Sequence, residues 1–224
     1  MVTEHKELRG AVTIVAGGTG GLGRPISDIL RERGAVVVTV SRTNAHTENH
    51  IVADLRSPDE AQRVVNEVMQ RFGQLDIVVN AVGVVAFGDV ATTSSDTVEE
   101  IFLTNTFAHI FLSSSALPKM SKGGVIVGIS GVIAEQNLPG MAAYGSSKAA
   151  MRSFNEASAR EARRVGVRVI DARPPHTETG LAARAIAGTA PRFPQGLSAD
   201  AVATRIVNAI ADGETDLPST EFGK

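Results

Sequence analysis

Tyr144 and Lys148 stand four positions apart, so on a helix both side chains project from one face about a turn from each other. A phenol with an ordinary pKa of about 10 is a poor base at neutral pH, and an ammonium one turn away favours the phenolate and lowers that value. Tyr144 is the only tyrosine in the chain. Ser130 ends a β-branched run upstream of the pair, where a hydroxyl can hold a carbonyl or alcohol oxygen. These groups make a minimal acid/base site if a hydride carrier lies beside them. By itself, a Tyr and a Lys four apart is usually only a surface contact.

What gives the pair meaning is Ala16-Gly17-Gly18-Thr19-Gly20-Gly21-Leu22-Gly23. This turn follows the first apolar run and leads directly into a helical pattern. Without side chains, backbone N–H groups can approach a phosphate at the positive end of a helix. The second run is followed by Ser41 and Arg42, with no carboxylate to accept bonds from the adenosine ribose of NAD; an arginine suits the 2′-phosphate of NADP. NADP(H) is therefore favoured over NAD(H). Asp54-Leu55 follows the Ile51 run, where a carboxylate could meet the adenine amino group.

These residues must be positioned by a scaffold, and the scaffold is legible. Apolar, β-branched runs at 11–16, 35–40, 75–80, 124–130 and 167–171, with a weaker one at Ile51 and Val52, alternate with helical periods at 22–33, 58–71, 95–116, 142–165 and 198–211. Runs apolar on both faces belong to a parallel sheet covered by helices on both sides. Ser57-Pro58-Asp59-Glu60 combines a capping box with proline at the first helical position. Asn105 falls inside the expected 95–116 helix, against its propensity. Residues 175–196, rich in proline and glycine, are expected to form a substrate loop with a short helix near 181–186. With no repeat or linker, residues 1–224 read as a single α/β domain.

Composition narrows the function classes. The 22 basic and 24 acidic side chains leave a formal charge of −2, which argues against nucleic acid or anionic membranes as partners. The absence of cysteine excludes disulfides and thiolate chemistry and fits a reducing cytoplasm. Residues 1–10 lack the apolar stretch of a signal peptide, and no apolar run reaches membrane-spanning length. His5, His46, His50, His109 and His176 show no metal-ligand spacing, so no metal site is expected. Arg160, Arg163, Arg164 and Arg168 read as a solvated helix end, and the methionines as core fillers.

In their order along the chain, these motifs resemble the short-chain dehydrogenase/reductase family. The resemblance runs from about Leu8 to Thr179 and rests on Gly17, Gly21 and Gly23, Asp54, Asn80-Ala81-Val82-Gly83, Asn105, Ser130, Tyr144-Gly145-Ser146-Ser147-Lys148 and the segment 174–179. It implies a Rossmann-type doubly wound sheet and a tetrad of Asn105, Ser130, Tyr144 and Lys148, with Tyr144 as acid or base, Lys148 lowering its pKa and binding the nicotinamide ribose, and Ser130 polarising the substrate oxygen. Asn105 is implied to hold a water through its main-chain carbonyl and to stabilise an irregular helix through its side chain. Gly17, Thr19, Gly21, Leu22, Gly23, Asn80, Ala81, Gly83, Pro174, Thr177 and Thr179 are implied to line the cofactor.

The sequence departs from the family pattern at Pro175, where glycine is usual, and at Gly131, where a second serine is frequent. The substrate implied is a small carbonyl or alcohol in a mostly apolar pocket that includes Val84 to Phe87. A homo-oligomer is implied too, and the few residues after Gly213 suggest a dimer rather than a tetramer. A binding module that senses NADP(H) without turnover is the rival reading, which the retained Tyr144 and Lys148 oppose. Epimerases share that pair but normally carry a larger carboxyl-terminal substrate region.

Overall fold

The computed structural model describes residues 5–45 and 47–223, so His46 and part of the polar amino-terminal stretch lie outside the described residues. Strand β1 (Val12–Ala16) is buried at every position, as both-face apolar runs require. It pairs in parallel with β2 (Val36–Ser41) on one side and β4 (Ile77–Asn80) on the other. With β3 (His50–Val52), β5 (Val125–Ile129) and β6 (Arg168–Ala172), the parallel sheet has the order β3-β2-β1-β4-β5-β6. The chain reverses its direction of travel across the sheet between β1 and β4, and in open α/β sheets the ligand crevice lies beyond the carboxyl ends of the strands at such a reversal.

Helices cover both faces. Helix α1 (Gly23–Glu32) and α6 (Ala199–Ala211) close one apolar core with Ile26, Leu30, Val202, Ile206 and Ile210. Helix α2 (Pro58–Phe72) and α4 (Ala108–Ala116) close the other with Val64, Val68 and Leu112. The capping box behaves as its sequence predicts: the Ser57 side chain accepts the Glu60 N–H, Pro58 opens α2, and Gly73 ends it at φ 71°. Helix α5 (Ala142–Ala162) continues as a 3-10 turn through Val165.

The expected single helix over 95–116 is broken. Helix α3 (Ser95–Phe102) passes into a π-helical turn, Leu103–Phe107, before α4 resumes. Asn105 sits in that turn, and π-turns inside helices concentrate at functional sites. In the 175–196 loop, the helix expected near 181–186 is a 3-10 turn at Ala182–Arg184. The ends of the loop pair as two short strands, β7 (Thr177–Glu178) and β8 (Leu197–Ser198).

Arg168 corrects the reading of a solvated arginine run. It lies in β6, and its guanidinium donates to the carbonyls of Ile210 (2.7 Å) and Glu214 (2.5 Å) at the end of α6. Carbonyls left over at a helix carboxyl end are a natural target for a cation. Arg160, Arg163 and Arg164 are exposed, as expected. His109 is no surface residue either. It is fully buried, and its Nε2 lies 2.6 Å from Asn155 Oδ1.

Candidate active site

The glycine-rich turn, the strand ends and the face of α5 meet at the carboxyl edge of β1, β4 and β5. A cleft there is lined by Gly17, Thr19, Ser41, Arg42, Asp54, Leu55, Ala81 and Gly83, all expected from the sequence. It is also lined by Val84, expected in the substrate pocket, and by Val40, Ala53, Arg56, Thr104 and Ala108, which sequence reasoning missed. The first half of that set follows from the turn and the strand ends. Thr104 lies in the π-turn and Ala108 directly after it, a turn that no breaker residue announces.

The turn is built by close approach. A Cβ on Gly23 would stand 2.1 Å from Gly17 O, and Gly17 itself has φ 73° against the main chain of Ala81. Helix α1 begins at Gly23 with no side-chain capping bond at Leu22; the Arg24 N–H donates to Gly20 O (3.0 Å), the Ile26 N–H to Leu22 O (3.3 Å), and Pro25 has none, so donors for an anion must come from the glycine turn that leads into the helix. Leu22 turns its side chain to the core. Thr179 meets this turn from the 175–196 loop: a Cβ on Gly21 would lie 2.3 Å from Thr179 O. The Thr177 hydroxyl donates to Pro175 O at 2.8 Å.

At the second strand's end, Arg42 is exposed at the cleft, and Ser41 Oγ donates to Thr43 O at 2.8 Å. Asp54 meets Arg56 through both carboxylate oxygens, and Arg56 reaches on to Glu100 (2.6 and 2.9 Å). The bond from Arg56 holds the Asp54 carboxyl below its ordinary range. Asn80 is buried at the end of β4, its Oδ1 taking the Val82 N–H at 3.0 Å while its Nδ2 finds no partner.

Asn105 ties the two halves of the site. Its Oδ1 accepts the Val84 N–H at 2.8 Å, and its Nδ2 donates to Val84 O and to Ser147 Oγ, each at 3.0 Å. Ser147 in turn donates to Tyr144 O at 2.8 Å. Three side-chain bonds offset the poor helix propensity of asparagine. Gly83 is enclosed in the same corner: a Cβ there would lie 3.3 Å from Asn105 Oδ1 and 3.6 Å from Lys148 Nζ.

Lys148 is buried on α5 and donates to Ile129 O at 2.8 Å. Burial pushes its ammonium down to about 8, with Asp171 opposing. Tyr144 is half-buried, and desolvation pushes its phenol up to about 12. This is opposite to the expected lowering by Lys148. The ammonium is turned to the Ile129 carbonyl, and removing the phenol from water dominates. Tyr144 is therefore a protonated group at neutral pH.

Ser130, just past β5, is fully buried, and its Oγ finds no partner in the protein. A buried hydroxyl left unpaired costs free energy, which a bound polar group at this strand end would offset. Gly131 follows at φ 80°, a conformation closed to the serine frequent in the family. Pro174 is buried and its carbonyl accepts the Val132 N–H at 2.9 Å, which locks the segment after Ser130 to the segment after β6.

Over the tyrosine lies an apolar cluster of Val85, Phe87, Ile133 and Met141, packed by Leu181, Ala185 and Phe193 of the substrate loop. Main-chain bonds strap that loop in place: Ile186 N–H to Val85 O and Phe87 N–H to Ala187 O, both 2.9 Å. Gly188 passes so close to Phe87 O that a Cβ would come within 1.8 Å.

The family profile of the short chain dehydrogenases matches residues 11–189. The chain belongs to that family. Among curated relatives of this short chain dehydrogenase is the mouse dehydrogenase/reductase SDR family member 7B, 27% identical over 96% of this chain and 75% of the relative. A hydroxynaphthalene reductase from Aspergillus fumigatus is 31% identical over 72% of this chain and 64% of its own. Two solved structures share the fold of this dehydrogenase. The ligand-free aldohexose dehydrogenase of Thermoplasma acidophilum superposes with a TM-score of 0.85 at 23% identity, covering 96% of this chain and 94% of that one. A short chain dehydrogenase from Burkholderia cenocepacia in complex with NADP gives 0.83 at 24% identity, covering 96% and 97%. This chain is thus an oxidoreductase of the NAD(P)-dependent short chain dehydrogenase family with a Rossmann-type sheet. Among the described residues no cluster could hold a metal ion, and no helix is long and apolar enough to cross a membrane.

Proposed function

We propose that this short chain dehydrogenase prefers NADP(H) and interconverts a carbonyl and a secondary alcohol, with Tyr144 as the acid/base. The observation that carries this reading is the fully buried, unpaired Oγ of Ser130 at the carboxyl edge of the sheet, near the buried Lys148. The donor set fits a dinucleotide: the glycine turn that opens α1, Asn80 with a free Nδ2, Gly83 beside Lys148 Nζ, and Arg42 at the far end. Arg42, with no carboxylate at the strand end, favours the 2′-phosphate, and NAD(H) is the weaker ligand. The NADP complex of the Burkholderia relative is consistent with that preference.

Bound there, the nicotinamide supplies the hydride in reduction and takes it up in oxidation. Ser130 donates a hydrogen bond to the substrate oxygen and orients it. Tyr144, protonated at neutral pH, delivers its proton to that oxygen as negative charge develops in reduction and takes one back in oxidation. Lys148, fixed by Ile129 O, keeps further N–H donors for the nicotinamide ribose. The main-chain carbonyl of Asn105 holds a water that carries replacement protons toward Lys148. Thr177 and Thr179 close over the carboxamide and pyrophosphate.

The apolar cluster above Tyr144 suits an uncharged carbonyl compound. A cytoplasmic, homo-oligomeric enzyme fits the cysteine-free composition and the family. Purified protein is assayed with NADPH and NADH on a panel of ketones, aldehydes and quinones, with Tyr144→Phe and Arg42→Ala alongside. Turnover abolished by Tyr144→Phe, and NADP(H) affinity lost selectively in Arg42→Ala, are the expected results. Cofactor binding without turnover on any substrate would instead make the protein a sensor.

A further inference from the structure

Arg173 is nearly completely buried, its side chain 4% exposed, two residues before Pro175. Its guanidinium reaches three carboxylates from different parts of the chain. Nε donates to Glu135, in the turn after Ser130. Nη1 donates to Asp171 at the end of β6 (2.6 Å) and to Asp216 (2.7 Å), and Nη2 donates to Asp216 (2.9 Å). Asp216 belongs to a carboxyl-terminal segment that runs beside β6. Leu217 bridges Ala172, Arg173 N–H donates to Leu217 O at 2.9 Å, and Ser219 Oγ donates to the other oxygen of Glu135 at 2.6 Å. From Asp171 the chain of contacts continues inward. Asn155 Nδ2 donates to Asp171 Oδ1 at 2.8 Å, and Asn155 lies on α5 at positions i+7 from Lys148 and i+11 from Tyr144, the same helical face.

We propose that Arg173 is a positioning residue for the reaction: its one guanidinium fixes the segment after Ser130, the segment carrying Pro174 and, through Asp171 and Asn155, the face of α5 that bears Tyr144 and Lys148. Asp216 completes the setting from the carboxyl-terminal segment. A charge in this position is held only by all its partners together, since a buried guanidinium leaves a large deficit when any one is withdrawn. The fork geometry is specific to arginine. Lysine keeps the charge but cannot span Glu135 through one nitrogen and Asp216 through two others. The cofactor's adenosine end, at Arg42 and Asp54, is touched by none of these groups.

This inference rests on the proposed acid/base reading, and the test separates the two. Arg173→Lys, Asp216→Asn and Tyr144→Phe are compared in the full chain for kcat, for the NADP(H) dissociation constant by titration, and for the unfolding midpoint. In Arg173→Lys, kcat is expected to fall roughly tenfold to a hundredfold, as a misplacement of about 1 Å produces, while cofactor affinity stays within about twofold of the parent. Asp216→Asn, whose side chain is 58% exposed, folds without a buried vacancy and is expected to lose kcat several-fold with the same cofactor affinity. Unchanged kcat in either folded variant overturns the positioning role. So does a parallel fall of kcat, cofactor affinity and unfolding midpoint, which would make Arg173 a general structural residue. If Arg173→Lys does not fold, Asp216→Asn alone decides. A Tyr144→Phe variant with full activity sinks the acid/base reading, whereas an inactive Tyr144→Phe beside a fully active Arg173→Lys sinks only the positioning role.

Discussion

Asn105 grips the main chain of Val84 from both sides, accepting its N–H at 2.8 Å and donating to its carbonyl at 3.0 Å. The π-turn and the segment after β4 are thereby one unit, and Gly83 is held against Lys148. Asn105→Ala removes both bonds and the one to Ser147. It is expected to destabilise the fold by about 1–3 kcal/mol for the groups left unpaired, and to lower turnover more than cofactor affinity. Urea unfolding and steady-state kinetics of the variant measure both effects.

Lys148 sets an alkaline limit. Its ammonium, pushed down to about 8 by burial, is charged below that pH and neutral above it. Tyr144, at about 12, does not titrate in the same range. The expected profile of kcat/KM for reduction is flat below about pH 8 and falls above it with the loss of one proton. A profile that stays level to about pH 10 would count against Lys148 as the group whose charge is required.

His109 makes stability depend on acid. Desolvation lowers its pKa to about 4, against the bond it donates to Asn155 Oδ1, so the native imidazole stays neutral where an unfolded one, at about 6.5, takes up a proton. The unfolded state therefore binds more protons between these values. Stability is full above about pH 6.5 and declines as pH falls toward 4, by up to about 3 kcal/mol. Urea midpoints at pH 7 and pH 4.5 are expected to converge in His109→Asn, while the parent keeps the difference.

Gly188 holds the substrate loop against the sheet. With φ at 71° and Phe87 O in the place of any Cβ, Gly188→Ala must push the strap away from Val85 and Phe87. The expected effect is a higher KM for the carbonyl substrate with cofactor affinity preserved, read from kinetics and cofactor titration. Equal losses in both would place the strap's role elsewhere.

Much of this was legible from short-range pattern. β1, β2, β4, β5 and β6 follow from runs apolar on both faces, α2 from its capping box, and the cofactor cleft from the glycine turn that β1 feeds. The π-turn was not legible from pattern, because Leu103–Phe107 contains no glycine or proline; only the family resemblance, through Asn105, implied an irregular helix there. Arg168 was misread from its neighbours, since the carbonyls it serves come from Ile210 and Glu214, far along the chain. The partnership of Tyr144 and Lys148 could be placed on one helix face from spacing alone. Its electrostatics could not, because desolvation depends on enclosure by Gly83, Asn105 and the loop, which no local window contains. His109 shows the same limit: nothing in its sequence neighbourhood distinguishes a core imidazole from a surface one.

The strap between Ile186–Ala187 and Val85–Phe87 is made of main-chain N–H and C=O groups alone, with Gly188 as its one side-chain requirement. Its grip is therefore blind to which side chains the loop presents. Leu181, Ala185 and Phe193 face the apolar cluster over Tyr144, and none of their side chains takes part in these main-chain bonds. The attachment of the loop and the apolar surface it turns toward Tyr144 are thus set by different atoms, so exchange of these few side chains would reshape that surface while the main-chain bonds stay as they are.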